Sequence, residues 1–214
     1  MANNLININI ARDNVRQKLA TTFPHVFTWG HFVSLDDLLR HTLQTNIATM
    51  QSELLCRHNT HANHLPNQTH YVYGYLVNLP FLNGKSIQSW LADAERDVRH
   101  ICNTCQSPLI RKTKLINSLP LITFAFAGQH SYIINPTISI PLLNGQLVQY
   151  SLKGIIYYNN SHFTSRIISD NGLSWYHDGM ATGPNMTCEG IVDSLPNLLL
   201  CKNKHATAGI YALQ

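Results

Sequence analysis

Tyr150-Ser-Leu-Lys-Gly-Ile-Ile-Tyr-Tyr-Asn-Asn-Ser-His162-Phe-Thr-Ser-Arg166, followed by Trp175-Tyr-His-Asp178-Gly, is the stretch on which the reading of this chain turns. The run Leu152 to Tyr158 is apolar and β-like, ends in a short polar loop, and restarts as a second strand at His162. Asn171-Gly172 is a hairpin-turn signal, so the strand leading to Asp178 returns to the edge where His162 sits. A histidine oriented by a buried carboxylate is the base half of a nucleophilic triad, because the carboxylate fixes the tautomer and stabilises the imidazolium. The chain has 12 histidines, so composition alone does not separate His162 from His130 or His177, and Asp170 is the fallback acid.

Outward from this stretch, nearly every run after Pro120 is β-like: Leu121 to Phe126, Tyr132 to Ile134, Thr137 to Ile140, His162 to Ile168 and Ala206 to Leu213, with Asn144-Gly145 as a further turn signal. Before it, Leu54 to Pro120 alternates in strand fashion, notably over His70 to Asn78, with one helix at Ser86 to Glu95. The first segment is helical. Val15, Leu19 and Phe23 share a face and Pro24 stops that helix; Ser34 caps a second, whose apolar residues are Leu35, Leu38, Leu39 and Leu43 and whose Asp36-Asp37 pair suits the positive end of the helix dipole. The fold class is α+β, helices first and a mostly antiparallel sheet afterwards.

Hydrophobic residues make up 44% of the 214, enough for a packed core, whereas charged residues are only 12% and the formal charge of +4 is scattered. No basic block supports a nucleic-acid partner. No run reaches the ~18 apolar residues of a membrane span, and the first thirty residues hold Arg12, Asp13, Arg16 and Lys18 without an apolar signal core. The chain reads as intracellular, in cytoplasm or nucleus. In that setting the Cys102-Asn-Thr-Cys105 spacing suits a metal better than a disulfide framework. Cys56 is the third ligand, and either His58 or His61 has the reach to be the fourth, with His61 taken as the ligand; the zinc is structural, since no activated-water arrangement is visible.

Tyr150-x-Leu-x-Gly-Ile-Ile, His162-Phe, the aromatic-x-x-Asp178 motif and Ala208-Gly-Ile-Tyr211-Ala-Leu together resemble the histidine box and closing strand of the ubiquitin-specific proteases, a family of deubiquitinating thiol proteases. The order of the preceding features matches too: a Trp29-Gly30 turn before the Ser34 helix, two cysteine positions separated by about the length of a fingers insertion, the Trp90 to Glu95 helix, and Ile116-Asn-Ser-Leu-Pro120 before an apolar strand. The resemblance covers about residues 12 to 214 and implies a partial papain-like cysteine protease fold, with a residual helical thumb over 1–48, fingers with a zinc site over 49–120, and a palm with the histidine box over 121–214. It implies His162 as general base, Asp178 as its orienting acid, and ubiquitin or a ubiquitin-like protein as partner.

The departures are specific. In the family the nucleophilic cysteine lies ahead of these helices, and no cysteine precedes Cys56 here. Ser161 stands where the family has glycine, Phe163 where it has tyrosine, Asp178-Gly179 where it has paired acids, and Asn59 where a second finger cysteine is usual. Cys188 and Cys201, in a Gly/Pro-rich loop and at the end of the Leu198 to Leu200 strand, lack the helix N-terminus that lowers a nucleophile's pKa. The two expectations are a fragment of a deubiquitinase that is inactive as this isolated chain, or a pseudoenzyme that binds a ubiquitin-like protein without cleaving it.

Overall fold

The computed structural model describes residues 8–28, 33–43, 46–56, 68–71, 74–77, 84–92, 95–126 and 131–214. Helices come first, as α1 (Ile8–Thr22) and α2 (Leu35–Leu43). Leu19 is the buried anchor of α1, while Val15 is 46% exposed. Ser34 caps α2 as its sequence implies: the Asp37 N–H donates to Ser34 Oγ at 3.0 Å, and Ser34 Oγ donates in return to Asp37 Oδ2 at 2.6 Å, which satisfies an orphan donor of the first turn.

The strands then divide between two sheets. In sequence they run β1 (Met50–Cys56), β2 (Gln68–His70), β3 (Gly74–Val77), then after α3 (Ile87–Ala92) β4 (Glu95–Ile101), β5 (Pro108–Leu115), β6 (Leu121–Phe126) and β7 (Thr137–Pro141). They continue as β8 (Leu147–Asn159), β9 (His162–Ile168) and β10 (Leu173–His177), a single turn α4 (Gly179–Thr182), β11 (Met186–Ile191), β12 (Leu200–Cys201) and β13 (Lys204–Leu213). The smaller sheet has the order β2-β1-β5-β4; the larger runs β11-β10-β9-β8-β13-β6-β3, with β12 paired to β13 and β7 to β8. Among the described residues, every pairing between two of these strands is antiparallel except β3 with β6.

Period-two patterning explains where the main core lies. Val148, Tyr150 and Leu152 of β8 point inward and, past a bulge at Lys153 that shifts the phase by one residue, so do Ile155 and Tyr157, with Ile122, Phe124 and Phe126 of β6, while α3 closes this side with Ile87, Trp90 and Leu91. The buried phenols are all spoken for. Tyr150 Oη accepts from the Leu119 N–H at 3.0 Å, while Tyr132, Tyr157 and Tyr211 donate to the carbonyls of Ala206, Leu198 and Asn135 at 2.8 to 2.9 Å. They tie connecting segments to the sheet, as buried polar atoms require.

Several boundaries differ from the sequence reading. The helix expected at Ser86 to Glu95 ends at Ala92, because Glu95 already pairs with Lys112 as the first residue of β4. Tyr132 to Ile134 alternates in burial but makes only a single bridge, Ser86 to Ile133, before Pro136, whose ring removes a ladder donor. Cys188 lies in strand β11, and the expected Leu198 to Leu200 strand shrinks to Leu200–Cys201. Within the span 49–120, β3 and α3 belong to the larger sheet and its core. Trp29-Gly30, His58, His61 and His130 lie outside the described residues.

Candidate active site and finger cysteine cluster

The β8–β9 connection is a two-residue hairpin in which Asn160 (φ 50°) and Ser161 (φ 59°) are both left-handed, the backbone of a tight turn whose twist matches the flanking strands. Asn tolerates that conformation well. The turn presents His162, opposite Asn159 in the register, at the end of the sheet. The β12–β13 turn beside it repeats the geometry at Lys202 (φ 45°) and Asn203 (φ 63°), and Asn159 Nδ2 donates to the Asn203 carbonyl at 2.9 Å.

His162 Nε2 lies 2.8 Å from Asp178 Oδ1, with 22% and 12% of the two side chains exposed. Asp178 is also the N-cap of α4, its Oδ1 accepting from the Met180 and Ala181 N–H groups at 3.2 and 3.1 Å. Its Oδ2 accepts from the Tyr176 hydroxyl at 3.3 Å. Burial pushes this carboxyl up, but the Ala181 N–H, His162 and the Met180 N–H outweigh it and hold Asp178 below its ordinary value. With a carboxylate on Nε2, the neutral ring carries its proton there. Nδ1 is therefore the basic nitrogen. The alternatives are otherwise engaged: His177 Nε2 faces the Gly183 carbonyl at 3.0 Å, and the exposed Asp170 accepts from Lys153 Nζ at 2.7 Å.

A cleft of about 390 Å³ is lined by Ser161 and Phe163, the chain neighbours of His162, by Tyr158 and Thr207 of the sheet, and by Val33 to Leu35 at the start of α2. It borders a more apolar groove of about 670 Å³ whose walls include Leu19, Phe27 and Leu38 opposite Ile156 and Phe163. The rings of Tyr158 and Phe163, 40% and 44% exposed, stack 4.6 Å apart at this mouth. With a carboxylate on Nε2, the Nδ1 of such a ring can take a proton from a thiol brought to it.

In the smaller sheet, Cys56 ends β1 opposite Leu109, and Cys102 and Cys105 occupy the tight turn between β4 and β5. The three sulfurs lie within 4.8 Å of one another, and Cys56 Sγ and Cys105 Sγ are 3.3 Å apart. Cys105 is lowered to about 7, chiefly by the Ser107 N–H. Thiolates on a tetrahedral zinc at ~2.3 Å sit roughly 4 Å apart. This donor set therefore fits three ligands of a structural zinc.

Sequence reasoning missed two residues at the site. Tyr176 was legible, since a residue two before Asp178 points to the same face of a strand. Lys202, whose Nζ stands 3.8 Å over the Tyr176 ring, carries no local signal.

No family model matches the chain, and no curated protein matches it. Solved structures do. One is the SAGA DUB module Ubp8/Sgf11/Sus1/Sgf73 bound to ubiquitin aldehyde, with a TM-score of 0.52 at 10% identity over 78% of this chain and 41% of that one. Another is the yeast SAGA DUB module carrying an Sgf73 mutant, with a TM-score of 0.56 at 9% identity over 96% of this chain and 49% of that one. A third is the module with a Ubp8 mutant bound to monoubiquitin, with a TM-score of 0.51 at 10% identity over 78% and 40% of the two chains. The chain thus spans less than half the length of the solved chains it matches, and over that span it shares the fold of part of a deubiquitinase module.

Proposed function

We propose that these residues form the fingers and palm of a ubiquitin-specific-protease-like domain of papain-like design, and that the palm supplies its general base, His162, and its orienting carboxylate, Asp178. The observation that carries this reading is the 2.8 Å contact between them. Asp178 holds the ring so that Nδ1 accepts the proton of a cysteine thiol. The thiolate attacks the isopeptide carbonyl, and the imidazolium, stabilised by Asp178, returns the proton to the leaving amine. The thiol comes from outside these 214 residues: Cys56, Cys102 and Cys105 are gathered in the fingers, Cys201 is buried, and Cys188 lies in β11 opposite Trp175.

The partner is ubiquitin or a ubiquitin-like protein held on fingers and palm; the ubiquitin complexes among the similar structures support this. Cytoplasm or nucleus goes with the same reading, and among the described residues no helix is long and apolar enough to cross a membrane. The placement of the five cysteines favours a second reading as well, in which the surface binds its partner without cleaving it.

Two measurements test the proposal. The purified chain should bind monoubiquitin or a ubiquitin-like protein in a titration followed by NMR, and failure across a panel of such proteins removes the ubiquitin reading. A ubiquitin carrying a C-terminal thiol-reactive warhead should form no adduct with this chain. Labelling that vanishes in Cys188→Ala or Cys201→Ala would overturn the assignment of the nucleophile to another segment.

A further inference from the structure

Asp178 Oδ1 is crowded, accepting from His162 and two backbone N–H groups, whereas the described partner of Oδ2 is the Tyr176 hydroxyl at 3.3 Å. That separation is long for an O–H···O bond, whose usual length is about 2.7 to 2.8 Å. Tyr176 is 3% exposed, and burial pushes its phenol up, so it stays protonated and donates. Lys202 Nζ sits 3.8 Å above the centre of its ring. A cation over a phenol draws electron density from it and makes its O–H a better donor. The β12–β13 turn that carries Lys202 is itself fastened to the His162 hairpin through Asn159 and Asn203.

We infer that Tyr176 is a positioning residue for the His162–Asp178 pair, and that Lys202 sets how strongly Tyr176 draws on the carboxylate. The inference rests on the reading of His162 and Asp178 as a base and its orienting acid. Through this chain of contacts the lysine moderates the negative charge that His162 experiences, without touching either residue of the pair. The charged and titratable groups near the pair are Asp178 and Tyr176 on the β10 side, Lys202 and the buried Cys201 from β12 and its turn, and His205 of β13, which stands opposite Tyr158.

The test is the pH titration of the His162 ring in the full 214-residue chain, followed by NMR. Removing the hydroxyl in Tyr176→Phe leaves the carboxylate charge less offset and should raise the His162 midpoint by about half a unit, the size expected for one modest hydrogen bond. Lys202→Met should raise it by less, and Lys202→Arg, which keeps a cation over the ring, should restore it. A purely structural Tyr176 would lower stability without moving the midpoint. If Asp178→Asn lowers the His162 midpoint while Tyr176→Phe and Lys202→Met leave it in place, the inference is overturned and the pair stands. If Asp178→Asn leaves it in place too, the pairing itself fails and the inference falls with it. Should Tyr176→Phe not fold, the exposed Lys202 decides: a midpoint unmoved in Lys202→Met overturns the inference.

Discussion

The two sheets are built from the same alternating patterns but are held together differently. The larger one buries a continuous set of side chains, among them Tyr150, Ile155, Tyr157, Phe124 and Tyr211, each below 2% exposed. Among the described residues, the smaller one gathers Leu54 and Leu109 with Cys56, Cys102 and the edge of Cys105 at one end, while Met50 and Leu115 at the other end of the same strands join the main core. Two leucines and three sulfurs are too little apolar burial for that end of the sheet to stand on hydrophobic energy alone. The cysteines occupy the place where a core would be. A region of this kind takes its stability from a bound ion or a partner, whereas the larger sheet takes it from its own interior.

The largest expected effect separates the two regions directly. The chain should hold about one zinc ion, and removing it with a chelator, or substituting Cys105→Ser, should abolish hydrogen-exchange protection in β1, β2, β4 and β5 while β8, β9 and β13 stay protected. Structural zinc sites contribute about 10 kcal/mol or more of apparent free energy in small peptides, so the loss should be local and nearly complete. Metal analysis showing no zinc would reject the ion, and the contrast would then have to rest on a protein partner.

Next in size is the reciprocal change. Ile155→Ala empties a fully buried site in the larger sheet and should cost about 2 to 5 kcal/mol by denaturant unfolding, since lost transfer energy and residual cavity add. Zinc content should not change. Metal lost together with the core would show that the two sheets unfold as one unit and would break the comparison.

A smaller effect concerns a strand that sequence order places among the finger elements. Gly74 of β3 pairs with Thr123 of β6 so closely that an added Cβ would collide with the Thr123 hydroxyl. Gly74→Ala should cost about 1 to 3 kcal/mol as an overpacking change, read as weakened protection in β6 and unaltered protection in β1. Loss of protection in β1 instead would assign β3 to the fingers.

The smallest effect near neutral pH is acid sensitivity. Asp178 is held below its ordinary value, so its contribution is present above the unfolded carboxyl range near pH 4 and disappears as pH falls through the lower folded value. A finger zinc needs deprotonated cysteines, and acid releases it as the thiolates of Cys56, Cys102 and Cys105 take up protons. The zinc-loaded fingers should therefore lose protection at a higher pH than the His162 region, which loosens only below about pH 4. Loosening of both over one pH range would erase the distinction.

Much of this was legible in the chain itself. β-like apolar runs located β8, β9 and β13, and Asn144-Gly145 and Asn171-Gly172 marked the turns before β8 and after β9, because strand propensity and turn chemistry are short-range properties. Ser34 and Asp37 announced α2 in the same way. The approach of Asp178 to His162 was readable because a single hairpin separates them. The sequence left the carboxylate neighbour of His162 open between Asp178 and Asp170, and in the tertiary structure Asp178 is the one in contact with the ring. The register of β9 and β10 sets Ile168 opposite Ser174 beside the turn and Ser165 opposite His177 toward its far end, which leaves Asp170 beyond the strand end distant from His162.

What the sequence determined by itself, then, was the identity of local elements and the types of residue able to carry proton transfer or bind a metal. Tertiary structure alone decided that β3 joins β6 across the 43 residues between them rather than its neighbours β2 and β4, and that Lys202 comes to rest over Tyr176. The physical reason is that such pairings depend on closing long loops against a shared interior. Their free energy is set by which surfaces fit together in the folded molecule, and no window of the sequence contains both partners.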